Sequence, residues 1–174
     1  MNSTIRLLIV LAMACLVGPA LAQQPPQPGP ELDHLKHLEG TWDATVKSMG
    51  GESKGTMVYK MDVGGLWLVG DFEGNFGPQK FVGKSLDSYD ANKKKYVSVW
   101  VDSMSTSPML SEGTLDKEKK AMIMTGEGPG MDGKTTKYKM VTELKDDDNM
   151  VFTLSSAQEG NEQAMMTITY KRRK

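Results

Sequence analysis

The sequence predicts an all-β protein, an antiparallel up-and-down barrel of about ten strands with one short helix at its N-terminal side. Three observations carry that expectation. From Thr41 onward apolar residues recur at every second position, the period of a strand with one face buried. Turn-forming residues interrupt the alternation at nearly regular intervals. Strands joined in sequence by short turns favour neighbouring antiparallel pairs, and closing such a meander removes its two edges. A two-sheet sandwich is the main alternative.

Taken in order, the chain of 174 residues opens with a single basic residue, Arg6, ahead of an apolar run from Leu7 to Val17 and the small-residue pattern Ala20-Leu21-Ala22. Residues 1–22 therefore read as a secretory signal peptide, and the protein is expected outside the cytoplasm, periplasmic or secreted. The apolar run falls short of the roughly 20 residues that a membrane-crossing helix needs, and no later segment approaches that length. The only cysteine, Cys15, lies inside this leader, so cleavage after Ala22 leaves neither disulfide nor thiol chemistry. A cysteine after small residues also admits lipid attachment, and a lipoprotein anchored through Cys15 is the alternative processing; Ala12 in place of a leucine three residues earlier favours Ala22.

Residues 23–30, "QQPPQPGP", form a Pro-rich tether, and residues 31–174 a single domain. In "ELDHLKHLEG" Leu32, Leu35 and Leu38 stand three apart, which predicts one short amphipathic helix stopped by Gly40. Turns are then expected at Gly50 to Ser53, Gly64-Gly65, Gly74 to Pro78, Asp87 to Lys93, Ser103 to Pro108, Asp116 to Lys119, Glu127 to Gly133, Lys145 to Asn149 and Glu159 to Asn161. Between them Met57/Tyr59/Met61/Val63, Leu66/Leu68/Phe72, Val97/Val99/Val101 and Met166/Ile168/Tyr170 alternate as strand faces.

Charge and motif composition exclude several functions. The 21 basic residues, Arg6 among them, face 22 acidic ones, which is no electrostatic footprint for nucleic acid, and the terminal "KRRK" reads as a solvated tail. "GPGMDGKT", from Gly128 to Thr135, fits the phosphate-loop pattern letter for letter. Such a loop cradles phosphates at the N-terminus of a following helix, whereas Thr136/Tyr138/Met140/Thr142/Leu144 alternate as a strand. No nucleotide is expected.

At "LEGTWDA" the Gly40 to Trp42 Gly-x-Trp after a short helix resembles the start of calycin barrels: lipocalins, fatty-acid-binding proteins and nitrobindins. A broader stretch is similar to the bacterial domain of unknown function 1579, through "HLEGTW", "VGGLWLVGDF", "DSYDANKKKY", "VWVDS" and "TYKRR", spanning His34 to Arg172. The resemblance implies a calycin-like (lipocalin-like) barrel and carries no established activity. It also implies that an arginine of the last strand covers the first-strand tryptophan, here Arg172 over Trp42. The alternation places Arg172 on one face with Tyr170 and Ile168, and outside the leader Arg172 and Arg173 are the only arginines. A planar guanidinium stacks where an ammonium does not. Two idle charges in the tail is the competing reading.

For metal and haem the residues argue against a site. His34 and His37 are the only histidines and lack a third ligand, so they read as solvated helix residues, and no histidine stands inside the barrel to hold haem. "KDDDN", Lys145 to Asn149, lacks the glycine and distal glutamate of a calcium loop. The 14 methionines suit a flexible core better than a copper tract. No cofactor is expected. Catalysis finds no nucleophile and base pair, which leaves Asp102, sharing a face with Tyr96, Ser98 and Trp100 opposite the aliphatic Val97/Val99/Val101 face, as the one acid to weigh.

If that polar face points inward, the barrel has an amphipathic interior; if outward, Trp100 is a surface aromatic. The expected function is binding of a small apolar or amphipathic ligand, with Trp42, Tyr59, Trp67, Trp100 and Asp102 as candidate ligand-binding residues and Trp42 with Arg172 closing one end. The alternatives are a filled barrel serving as an envelope structural or protein-interaction module, and an enzyme using Asp102.

Overall fold

A computed structural model describes residues 27–76, 78–130, 134–157 and 164–174, the side chain of Phe76 apart. The segment read as a signal peptide, Cys15 and the first half of the Pro-rich tether lie outside the described residues, as do the Met131 to Gly133 part of the phosphate-loop match and the Glu159 to Asn161 turn. A 3-10 turn at Pro30–Leu32 leads into α1 (Asp33–His37). Ten strands follow: β1 (Gly40–Ser48), β2 (Gly51–Asp62), β3 (Trp67–Phe76), β4 (Gln79–Asp90), β5 (Lys95–Asp102), β6 (Met109–Asp116), β7 (Ala121–Pro129), β8 (Thr135–Leu144), β9 (Asn149–Ser156) and β10 (Ala164–Arg172). Each pairs antiparallel with its neighbours in sequence, and β1 pairs with β10, so the sheet closes into a barrel. Trp42 faces Met57 of β2 on one side and Arg172 of β10 on the other.

The hydrophobic core is concentrated at one end. Trp42 is fully buried, and Leu68 and Met150 keep only 1 % of their surface. Leu32, Leu35 and Leu38, spaced to share one side of the N-terminal turns, are buried against this end and complete its floor. Burying side chains of this size contributes about 1.5–3 kcal/mol each, which explains why so short a helical segment holds its place.

Three local expectations are corrected. The N-terminal helix divides into a 3-10 turn and five α-helical residues, and Gly40 is not its stop but the first residue of β1, at φ +124, where a side chain is strained. Val63, read as the fourth residue of one alternating strand face, sits in the turn at φ 49 beside Gly64 and Gly65. The third correction bears on function: Asp87 is not the start of a turn, because β4 continues to Asp90 and pairs Asp87 with Leu68 on one side and Ser98 on the other.

Candidate functional site

At the floor, the Arg172 guanidinium carbon lies 4.1 Å from the centre of the Trp42 ring. The same guanidinium donates to the carbonyls of His37 (2.8 Å), Asp147 (2.7 Å) and Glu39. It thus ties the end of α1 and the β8–β9 turn to the first strand. Trp42 donates its indole N–H to the Leu38 carbonyl at 2.9 Å. The orphan carbonyls that end a helix are satisfied here by side chains, which a lysine's single ammonium could not do for three acceptors while stacking on a ring.

Above the floor the walls differ. On β4 and β5 the inward positions are Phe81, Gly83, Ser85 and Asp87, paired in register with Asp102, Trp100 and Ser98. Outward on the same strands stand Val82, Leu86 and Val101, exposed at 39 %, 41 % and 45 %. The polar face of β5 therefore points inward. The Trp100 ring lies over Gly83, where a Cβ would come within 2.3 Å of it, and stacks on Phe81 at 6.5 Å. Asp102 accepts from the Trp100 indole N–H (2.9 Å) and the Met104 amide (2.8 Å), which fixes the indole at the mouth of the barrel.

One pair deeper, Asp87, Ser98 and Ser111 form a polar row across β4, β5 and β6. The Ser85 hydroxyl donates to Asp87 at 2.7 Å and Ser98 bonds the same carboxyl, yet burial dominates and pushes the Asp87 pKa up. Tyr59 lies beside it and Tyr170 beside Tyr59; burial raises both phenols, and Tyr170 and then Asp87 add to the shift of Tyr59. Gly70 makes this crowding feasible, since a Cβ there would fall 2.7 Å from Tyr59 Cε1 and 2.5 Å from Ser85 Oγ.

The opposite wall is apolar. Met124, Met140, Leu154 and Met166 run in register across β7 to β10, with Phe152 and Ile168 one pair deeper. Several inward side chains, among them Tyr59, Asp87, Ser98, Trp100, Phe152 and Leu154, are only half-buried, unlike those of the floor. Close packing would seal them, so the interior above the floor is not filled to the density of the floor.

The structure therefore groups Tyr59, Trp100 and Asp102 on the β2–β5 side of the interior and places Trp42 beneath them. Trp67 does not join them: Leu68 takes the inward position, and Trp67, paired with Asp62, takes the outward one. Asp87, Ser85, Ser98 and Tyr170 went unrecognised as site residues. A signal was present in the alternation of Phe81, Gly83, Ser85, Asp87 and Tyr89, hidden because Asp87 reads as a turn former beside Asp90 and Asn92.

Elsewhere the geometry is structural. His34 is not solvated; its Nε2 is enclosed without a hydrogen-bond partner, and burial first, then His37, lowers its pKa. His37 pairs with Asp147 at 3.2 Å. In the "KDDDN" turn Asp146 accepts from Asn149 (2.8 Å) and the Asp148 amide (2.8 Å). A surface recess of about 810 Å3 lies outside the barrel on β1–β3, where Asp43, Asp71 and Glu73 already pair with Arg173, Lys84 and Lys80.

Two solved structures are similar to this chain at low identity. A de novo designed fluorescence-activating beta barrel is similar with a TM-score of 0.47 and 12% identity, covering 81% of this chain and 98% of that one. A redesigned beta barrel gives a TM-score of 0.43 and 15% identity over 80% and 94% of the two chains. No curated relative matches the chain. The model of one family, described as a protein of unknown function (DUF1579), matches residues 27–172.

Proposed function

The chain belongs to the DUF1579 family, and from that premise we propose that it is a binding barrel whose interior holds a small amphipathic ligand. The observation that carries this reading is the pair of unlike walls. The row of Asp87, Ser98 and Ser111 faces the row of Met124, Met140, Leu154 and Met166 across an interior whose side chains keep partial exposure. Apolar lining with a few placed polar groups is what small-molecule sites require, and flexible methionines adapt to an apolar body of varied shape. Trp100 and Asp102 stand at the mouth, Tyr59 deeper, and Trp42 with Arg172 closes the far end. The leader from Arg6 to Ala22 supports an extracytoplasmic setting.

Packing at the mouth favours a second reading, a filled barrel that serves as a structural or interaction module: Trp100 covers Gly83, and the Phe72 ring leaves no room for a Cβ at Gly55. Native mass spectrometry of the protein purified from its own host, compared with the denatured sample, separates the two. Occupancy gives a mass excess that is lost on denaturation. The bare polypeptide mass, in a sample that also fails to take up added short-chain amphiphiles, selects the filled barrel.

A further inference from the structure

We infer that Asp87 is the anchor for a cationic nitrogen, so that the ligand class of the barrel is an amphiphile with a protonated amine head and an apolar tail. This rests on the reading of the interior as a binding site and names its chemistry. The only carboxyls of the β4–β5 wall that face inward among the described residues are those of Asp87 and Asp102. The lysines of the neighbouring strands, Lys47, Lys54, Lys60 and Lys84, alternate outward and are exposed. Arg172, the one basic residue at an inward position among the described residues, is committed to Trp42 and three backbone carbonyls. The polar wall thus carries acidic groups and no positive charge to balance them.

Asp102 is already engaged by an indole N–H and a backbone N–H at the mouth. Asp87 is deeper and less completed. An ionised carboxylate offers about four lone-pair sites, and two serine hydroxyls, from Ser85 and Ser98, occupy two of them. Beside it is the phenol of Tyr59 from β2, with Tyr170 from β10 next to that phenol in turn. A carboxylate with free lone pairs beside the Tyr59 phenol oxygen matches an ammonium, which brings three donors and the missing charge. A divalent metal is a poorer match, as no cluster of three or more metal-binding side chains occurs among the described residues.

Deprotonating Asp87 without a cation is unfavourable where it lies, so bound ammonium and bound proton compete for the same oxygens. Affinity for an amine should then rise as pH increases from 4 towards 8. Over that range Tyr59 and Tyr170 stay neutral because their pKa values are raised.

The test uses the leader-free protein purified by its own expression, with octylamine, octanol and octanoate as probes, followed by titration calorimetry and Trp fluorescence at pH 4 to 8. The expected result is at least tenfold tighter binding of octylamine than of octanol or octanoate at pH 7, increasing with pH. In Asp87→Asn the preference disappears while octanol binding persists; Asp71→Asn, on the outer face of β3 beside Lys84, keeps the preference. Equal affinities for amine and alcohol in the unaltered protein, or an amine preference that survives Asp87→Asn, overturn the anchor and leave the binding barrel standing. Failure of all three probes to bind overturns the binding reading and the anchor with it. The comparison of probes and the pH series need no variant, so a poorly folded Asp87→Asn does not decide the outcome.

Discussion

Hairpins β4–β5 and β7–β8 occupy similar places in one barrel with opposite polarity. In β7–β8 methionines and Tyr138 point inward, while Lys137 and Glu127 point to solvent, the arrangement that maximises burial of apolar area. In β4–β5 the aliphatic residues Val82, Leu86 and Val101 face solvent, and Ser85, Asp87, Ser98 and Asp102 face the interior. Turning a strand pair inside out gives up hydrophobic stabilisation and desolvates a carboxyl, so stability alone does not select it. The difference teaches that β7–β8 supplies apolar burial, while β4–β5 supplies the polar wall on which the proposed site rests.

Substitutions can break that contrast, and the largest effect belongs to the apolar wall. Met124→Ala should destabilise the protein by about 2–4 kcal/mol in urea unfolding, since it removes a buried side chain from the row and leaves a cavity. Next comes the floor that both hairpins rest on. Arg172→Lys should lower stability by about 1–3 kcal/mol through loss of stacking and of two or more carbonyl bonds. An unchanged melting temperature would reduce Arg172 to an idle tail charge.

The inverted hairpin should respond with the opposite sign. Because the folded state raises the Asp87 pKa above its ordinary 3.8, the native protein holds that proton more tightly than the unfolded chain. Its contribution therefore weakens stability as pH rises from about 3.8 through the folded value, and the loss is complete above it. Asp87→Asn should remove this component, giving a protein at least as stable as the parent at pH 7 and a flatter urea midpoint between pH 4 and 7. The smallest effect is expected outside the same strand: Leu86→Ser, at a 41 % exposed position, should shift stability by less than about 0.5 kcal/mol.

How much of this was legible follows from the same contrast. Strand number and order could be read because turn formers and alternation survive whichever face is buried, and Gly-x-Trp with a lone arginine pair marked the floor. The direction of β5 could not be read, since alternation defines two faces without saying which is inside. Asp87 was lost to a turn because Asp, Asn and Lys cluster there, and only pairing with Leu68 and Ser98 reveals the strand. Trp67 was overvalued for its size, while the smaller Leu68 fills the core.

The measurement closest to the central claim is an NMR titration of the side-chain carboxyls with carbon-13 labelled aspartate. Asp43, Asp116 and Asp146 provide the reference on the outer surface, where Arg173, the Lys119 amide and Asn149 respectively hold their pKa values below the ordinary carboxyl value. An inward, desolvated Asp87 titrates above 3.8, apart from that group, and moves downward when octylamine is added. An Asp87 that titrates among the surface aspartates and ignores the amine would place it in solvent and contradict the inverted hairpin on which the account rests.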